Sequence, residues 1–268
     1  MAVKYRLQLA LLFGMERWTG RVAVVTGASS GIGAAIARAL AENGLRVVGV
    51  ARRVENVQNL SEQLKRESCK GELFAIQGDV KEEEDVKKVI AWTREKLGGV
   101  DILVNNAGLA PLVSLLDYDL VAAKNIFDTN VHGLCLFTRE AVKDMRSRGV
   151  DDGHIVHISS IAGHYLTEFE GTGPYAGSKH SVRVLTEALR RELRDAKTKI
   201  RVSSISPGLV DTEIFKASGF PEDMVENIHQ SPITLQSKDI ADAVIYVVSA
   251  PAHVQIHDII IRPTGEAF

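Results

Sequence analysis

Tyr175 and Lys179 stand four residues apart in Tyr175-Ala176-Gly177-Ser178-Lys179, a spacing that puts both side chains on one face of a helix. A free tyrosine titrates near about 10, too high for efficient proton transfer at neutral pH, and a neighbouring ammonium stabilises the phenolate and lowers that value. The pair can therefore act as a general acid or base, although a solvated Tyr/Lys pair on any helix has the same spacing. Tyr165 is a rival phenol, but Phe169 stands where its lysine would have to be. Ser159 and Ser160 close the apolar run from His154. Alternation along a strand sends their side chains to opposite faces, so either could meet a ligand there.

A second chemistry is written at Val22-Ala23-Val24-Val25-Thr26-Gly27-Ala28-Ser29-Ser30-Gly31-Ile32-Gly33. A run of β-branched residues fits a strand buried on both faces, and a glycine-rich turn follows it. Ala34 to Leu40 then reads as a helix that Asn43-Gly44 stops. Strand, glycine turn and helix in this order aim free backbone N–H groups and a helix dipole at one spot, which suits a phosphate. A tight turn without a ligand is the bland alternative. The strand at Arg46 to Ala51, arriving at βαβ spacing, weighs against it.

The rest of the chain supplies the elements that position these groups. Strands are expected at Leu73–Gln77, Asp101–Val104, His154–Ser159, Ile200–Ser206 and Ile256–Ile261. Helices are expected at Val54–Glu67, from the charged run Lys81–Lys88 onward, at Val121–Arg148 as one long element, at Tyr175–Asp195 and at Ser237–Ser249, with Leu209–Pro232 less regular. Strands alternating with helices imply an α/β fold, a single-domain, doubly wound parallel sheet with helices on both faces. In such sheets ligands sit beyond the carboxyl ends of the strands, where nearly all the unusual residues fall.

Composition narrows the partners. A net charge of −2 over 268 residues, 45% hydrophobic and 25% charged, gives no general attraction to nucleic acid or anionic membrane. Two cysteines, Cys69 and Cys135, cannot build a disulfide framework, so a reducing, cytoplasmic compartment is expected. The eight histidines show no metal spacing, and His154 and His157 fall on opposite faces of one strand. Residues 1–20 read as an N-terminal extension before a domain over 21–268. The apolar Leu7–Phe13 after Lys4 and Arg6 leaves a secretory or membrane-associated alternative, but it is too short to span a bilayer and lacks an evident cleavage site.

Taken together, Thr26-Gly27-x-x-x-Gly31-x-Gly33, Asn105-Asn106-Ala107-Gly108 and Tyr175-x-x-x-Lys179 resemble the short-chain dehydrogenase/reductase family over about Arg21 to Arg262. Met15–Trp18, Asp151–Ile155, Ile205–Gly208 and Ile261–Thr264 are similar to a branch acting on farnesol, steroids and other carbonyl compounds. The resemblance implies a Rossmann fold and an oxidoreductase in which Tyr175 exchanges a proton with a substrate oxygen while hydride moves to or from a nicotinamide. It aligns the substrate-binding serine with Ser160 and a proton-relay asparagine with Asn130. It also implies that Gly27, Ser29, Ser30, Gly31, Ile32 and Gly33 hold the cofactor's phosphates, that Asp79 and Val80 flank its adenine, that Asn106, Ala107 and Gly108 line a ribose, and that Pro207, Gly208, Val210 and Thr212 hold the carboxamide side with Tyr175 and Lys179.

The type of cofactor follows from charge. An NAD site places an acid near the end of the second strand, whereas this chain has Arg52-Arg53, whose guanidinium groups attract a 2′-phosphate, so NADP(H) is expected. The segments His164–Thr172 and Ile214–Ile228 carry Tyr165, Leu166, Phe169, Ile214, Phe215, Phe220 and Met224. They are expected to form an apolar wall for a small hydrophobic alcohol or carbonyl compound, with Tyr165 and Phe215 touching it. Family members usually pair through their long central helices, which implies a homodimer or homotetramer. A dinucleotide-binding scaffold without turnover is the reading from a different class.

Overall fold

The structure, a computed structural model, describes residues 14–166, 169–231 and 233–266. Seven parallel strands form one sheet in the order β3-β2-β1-β4-β5-β6-β7. They are β1 Val22–Thr26, β2 Arg46–Ala51, β3 Glu72–Gln77, β4 Ile102–Asn105, β5 His154–Ile158, β6 Arg201–Pro207 and β7 Asp258–Ile261. β1 pairs with β2 on one side and with β4 on the other, so strand order reverses there. That reversal opens a crevice at the carboxyl ends of β1 and β4.

Every residue of β1 is buried, and its alternation feeds two cores. Ala23 and Val25 join a cluster with Ile36 and Leu40 of α1 (Gly31–Glu42) and with Ile240 and Val244 of the helix Ser237–Ser249. Val22 and Val24 face the other side, with Val86, Val89, Phe137 and Met145. Nothing along β1 needs a polar face, which is why its sequence lacks the apolar-polar alternation of a half-solvated strand.

Two expectations change. The long helix expected over Val121–Arg148 is three segments: α2 (Leu120–Phe127), a π-helical stretch (Asp128–Gly133) and α3 (Leu134–Ser147). The wide turn is held from outside by the Asn130 amide. Its Oδ1 accepts from Leu109 N–H (2.9 Å), and its Nδ2 donates to Leu109 C=O and to Ser178 Oγ (3.0 Å each). Gly133 lets the stretch seat against Val80, where a Cβ would lie 2.7 Å from Val80 Cγ2. The segment expected to be less regular, Leu209–Pro232, contains helices at Ile214–Ala217 and Glu222–Gln230.

In the segment expected to be an N-terminal extension, Glu16–Trp18 forms a single 3-10 turn. Trp18 is fully buried and donates from Nε1 to Val248 C=O at 3.0 Å. The apolar stretch Leu7–Phe13 lies outside the described residues. No helix among the described residues is long and apolar enough to cross a membrane.

Candidate functional site

A cleft of about 600 Å3 opens at the carboxyl edge of the sheet. Its floor begins at the turn between β1 and α1, where backbone takes the place of side chains. Gly27 has φ +68°, and a Cβ there would lie 2.9 Å from Ala107 Cα. At Gly33 a Cβ would meet Gly27 C=O at 2.2 Å, so the helix can approach the strand this closely only without a side chain. The Ser30 side chain at the N-cap of α1 makes no hydrogen bond to the first turn and reaches Arg53 instead (3.4 Å). Gly31, Ile32 and Gly33 thus present the start of the helix to the cleft. This uncapped helix start, with Arg52 and Arg53 exposed at the end of β2, fits the phosphates of a dinucleotide.

Thr26 locks this turn to the loop after β4. Its Oγ1 accepts from Asn106 N–H (3.0 Å) and Ala107 N–H (3.1 Å), while Asn106 Nδ2 donates back to Thr26 C=O (3.0 Å). Sequence reasoning placed Thr26 in the motif without a role. Its signal is a hydroxyl where the β-branched run calls for another valine. Asp79 and Val80 line the cleft beside Gly78, and the Asp79 carboxylate accepts from Lys81 N–H at 3.0 Å.

At the opposite end, α4 (Gly173–Asp195) carries Tyr175 and Lys179 into the cleft. Lys179 is 6% exposed, and its Nζ donates to Ile158 C=O at 2.9 Å. Desolvation lowers its ammonium to about 8. The Tyr175 hydroxyl is hydrogen-bonded to Ser160. Burial raises the phenol above its ordinary value, and the Ser160 bond, which favours the phenolate, offsets only part of that rise. The expected lowering by the ammonium is therefore reversed here. Lys179 Nζ is 5.9 Å from the ring centroid, and burial of the phenol outweighs any field from that amine.

The two serines are separated by their partners. Ser159 is 4% exposed and its Oγ donates to Lys179 C=O (3.4 Å), whereas Ser160 bonds the phenol and accepts from Ala162 N–H (3.1 Å). Asn130 does not line the cleft and sits behind Gly108. A Cβ on Gly108 would be 3.3 Å from Asn130 Oδ1 and 3.7 Å from Lys179 Nζ, so both groups converge on that glycine.

All the expected cofactor residues, from Gly27 through Arg53, Asn106, Ala107 and Gly108 to Thr212, line this one cleft. Pro207, Gly208 and Val210 border it at the end of β6, beside the buried Glu266 carboxylate, which accepts from Leu209 N–H (3.1 Å). The tail acid is a feature sequence reasoning missed, since 57 residues separate it from its partner.

The apolar wall is smaller than expected. Phe169, Ile214, Phe215 and Phe220 line the cleft, the last two rings edge to face at 5.3 Å. Tyr165 and Leu166 instead face solvent, at 57% and 71% exposed, and Met224 lies off the cleft. Tyr165, expected to touch the substrate, stands on the solvent-facing rim and not in the cleft lining, its ring beside His164 at 6.2 Å between centroids. Thr172, Glu213 and Ser218 also line the cleft and were not singled out. Ser218 Oγ ties this wall to the loop after β4 by accepting from Ala110 N–H at 3.0 Å. His154 and His157 are buried and bond Ser203 and Thr186 (2.9 Å each), and among the described residues no group of three or more His, Cys, Asp or Glu could hold a metal ion.

Known proteins are similar to this chain in sequence and in fold. Farnesol dehydrogenase of Aedes aegypti is 49% identical over 255 residues, which cover 95% of this chain and all of the relative. Dehydrogenase/reductase SDR family member 11 of Homo sapiens is 46% identical over 254 residues, covering 94% of this chain and 98% of that protein. Among solved structures, the closed form of serine dehydrogenase complexed with NADP+ superposes with a TM-score of 0.82 at 31% identity, over 92% of this chain and 96% of that one. Residues 21–222, which contain the glycine turn, the loop after β4 and the Tyr/Lys helix, match the family described as short chain dehydrogenase. That match joins the phosphate-suited turn to the helix carrying the half-buried Tyr175 and the buried Lys179, and the chain belongs to the short-chain dehydrogenases, an oxidoreductase family that uses a nicotinamide dinucleotide.

Proposed function

We propose that the protein is an NADP(H)-dependent oxidoreductase that interconverts a lipophilic alcohol and its aldehyde or ketone, with Tyr175 as general acid and base. The observation that carries this reading is the Tyr175 hydroxyl, paired with Ser160, opening on the same cleft as the glycine turn and the two arginines. Gly27 to Gly33 would hold the diphosphate, Arg52 and Arg53 the 2′-phosphate, Asp79 and Val80 the adenine, and Asn106 to Gly108 a ribose. Pro207 to Thr212 would hold the carboxamide. When bound, the nicotinamide supplies or accepts a hydride at the substrate carbon.

The chain's own residues handle the proton. In reduction the Tyr175 hydroxyl gives its proton to the carbonyl oxygen, and in oxidation the phenolate takes it from the alcohol. Ser160 Oγ hydrogen-bonds the same oxygen and sets it opposite the phenol. Lys179 holds a positive charge beside the phenol below about pH 8, and Asn130 braces Leu109 and Ser178 on either side of it. Phe169, Phe215 and Phe220 exclude water from the reacting carbon. The relatives' names support farnesol-type, steroid or other carbonyl substrates. A homodimer or homotetramer is proposed for the working form, and the free cysteines Cys69 and Cys135 support a reducing, cytoplasmic compartment.

The test is NADPH oxidation against farnesal, steroid ketones and small aromatic carbonyls, with the parent and Tyr175→Phe compared. Turnover in the parent, lost about 100-fold or more in the variant at an unchanged NADPH Kd, is expected. Tight NADPH binding without turnover across the panel would overturn the reading in favour of a non-catalytic binding protein.

A further inference from the structure

Arg53 does not stand free at the mouth of the cleft. Its Nη2 lies 3.4 Å from Ser30 Oγ and 3.4 Å from Glu213 Oε2, so a charged strap runs from the end of β2 across the start of α1 to the loop after β6. All three residues line the cleft. The loop that carries Glu213 rests on the glycine turn, since a Cβ on Gly31 would lie 3.2 Å from Thr212 Cγ2. A carboxylate therefore sits beside a helix start that favours anions, paired with the guanidinium that a phosphate would use. Of the two acids lining the cleft, Asp79 is held by Lys81, with Oδ1 accepting its N–H and Oδ2 3.8 Å from its Nζ, which leaves Glu213 as the acid facing Arg53.

We infer that Glu213 tempers the preference for the phosphorylated cofactor by competing with the 2′-phosphate for Arg53, an inference that rests on the NADP(H) reading. The competition weakens binding of the phosphorylated cofactor more than that of the unphosphorylated one, because only the former needs Arg53 released. Both partners are about 60% exposed, so the pair is screened and its effect is modest, a factor of up to about five at low salt.

Calorimetric Kd values for NADPH and NADH are to be measured at low and high salt for the parent, Glu213→Gln, Arg53→Ala and the double variant. Glu213→Gln should tighten NADPH about three- to fivefold at low salt and less at high salt, with NADH changed under twofold. In the Arg53→Ala background the same change should do nothing further. An unchanged NADPH/NADH ratio in Glu213→Gln, or an equal gain in the Arg53→Ala background, would overturn the competition. The parent alone tests the underlying reading: a parent that binds NADH as tightly as NADPH refutes NADP(H) preference, whatever Glu213 does.

Discussion

The buried amine of Lys179 makes a stability prediction that does not depend on substrate. Its ammonium is lowered from 10.5 to about 8 by desolvation, so folding disfavours the charged form. A base depressed in the folded state contributes its full stability above the unfolded value, and that contribution is lost as pH falls through the folded one. At pH 7 the protein therefore bears the cost of a buried ammonium, and raising the pH removes it. With folded and unfolded values of 8 and 10.5, the gain between pH 7 and 9.5 is about 2 kcal/mol. Tyr175 enters only above about pH 10, where its raised value acts with the opposite sign, and is avoided by stopping at 9.5. The assay is urea unfolding followed by tryptophan fluorescence at fixed protein concentration, in the parent and in Lys179→Met. The parent should gain about 1–2 kcal/mol more than the variant over this range. Parallel pH slopes in the two proteins would refute the desolvation argument, even if Lys179→Met lowers absolute stability by leaving Ile158 C=O unpaired.

Other expectations follow from single contacts. Ser160→Ala removes the bond that favours the phenolate, so turnover should fall about 10- to 100-fold and the pH limb assigned to Tyr175 should move upward, both read from a kcat/KM profile. Arg52→Ala with Arg53→Ala should weaken NADPH by about 10- to 100-fold with little change in NADH, checked by calorimetry. Phe215→Ala should raise KM for a lipophilic substrate several-fold, while Tyr165→Ala, on the solvent-facing rim, should leave it within twofold. His157, buried and lowered to about 3, should cost the parent about 2 kcal/mol more than His157→Gln between pH 7 and 5, because the unfolded chain takes up a proton there that the folded one refuses. Acid melts of the two proteins check this.

The order of strands and helices was readable from residues alone, because the signals are local. β-branched runs such as Val22–Val25 make buried strands, and Gly27 and Gly33 stand where a side chain would collide with backbone. The Tyr/Lys spacing is equally local, since one helical turn carries both residues to one side. Helical periodicity could not reveal the π-helical stretch around Asn130, which depends on hydrogen bonds to Leu109 and Ser178, 21 and 48 residues away. Nor could it choose between Ser159 and Ser160, expel Tyr165 from the wall, or tie Glu266 to the loop after β6. The direction of the Tyr175 shift belongs to the same class, because a phenol's acidity depends on how much water the rest of the chain removes from it. Proximity within one turn is written in the sequence, whereas desolvation is a sum over neighbours that only the folded chain assembles.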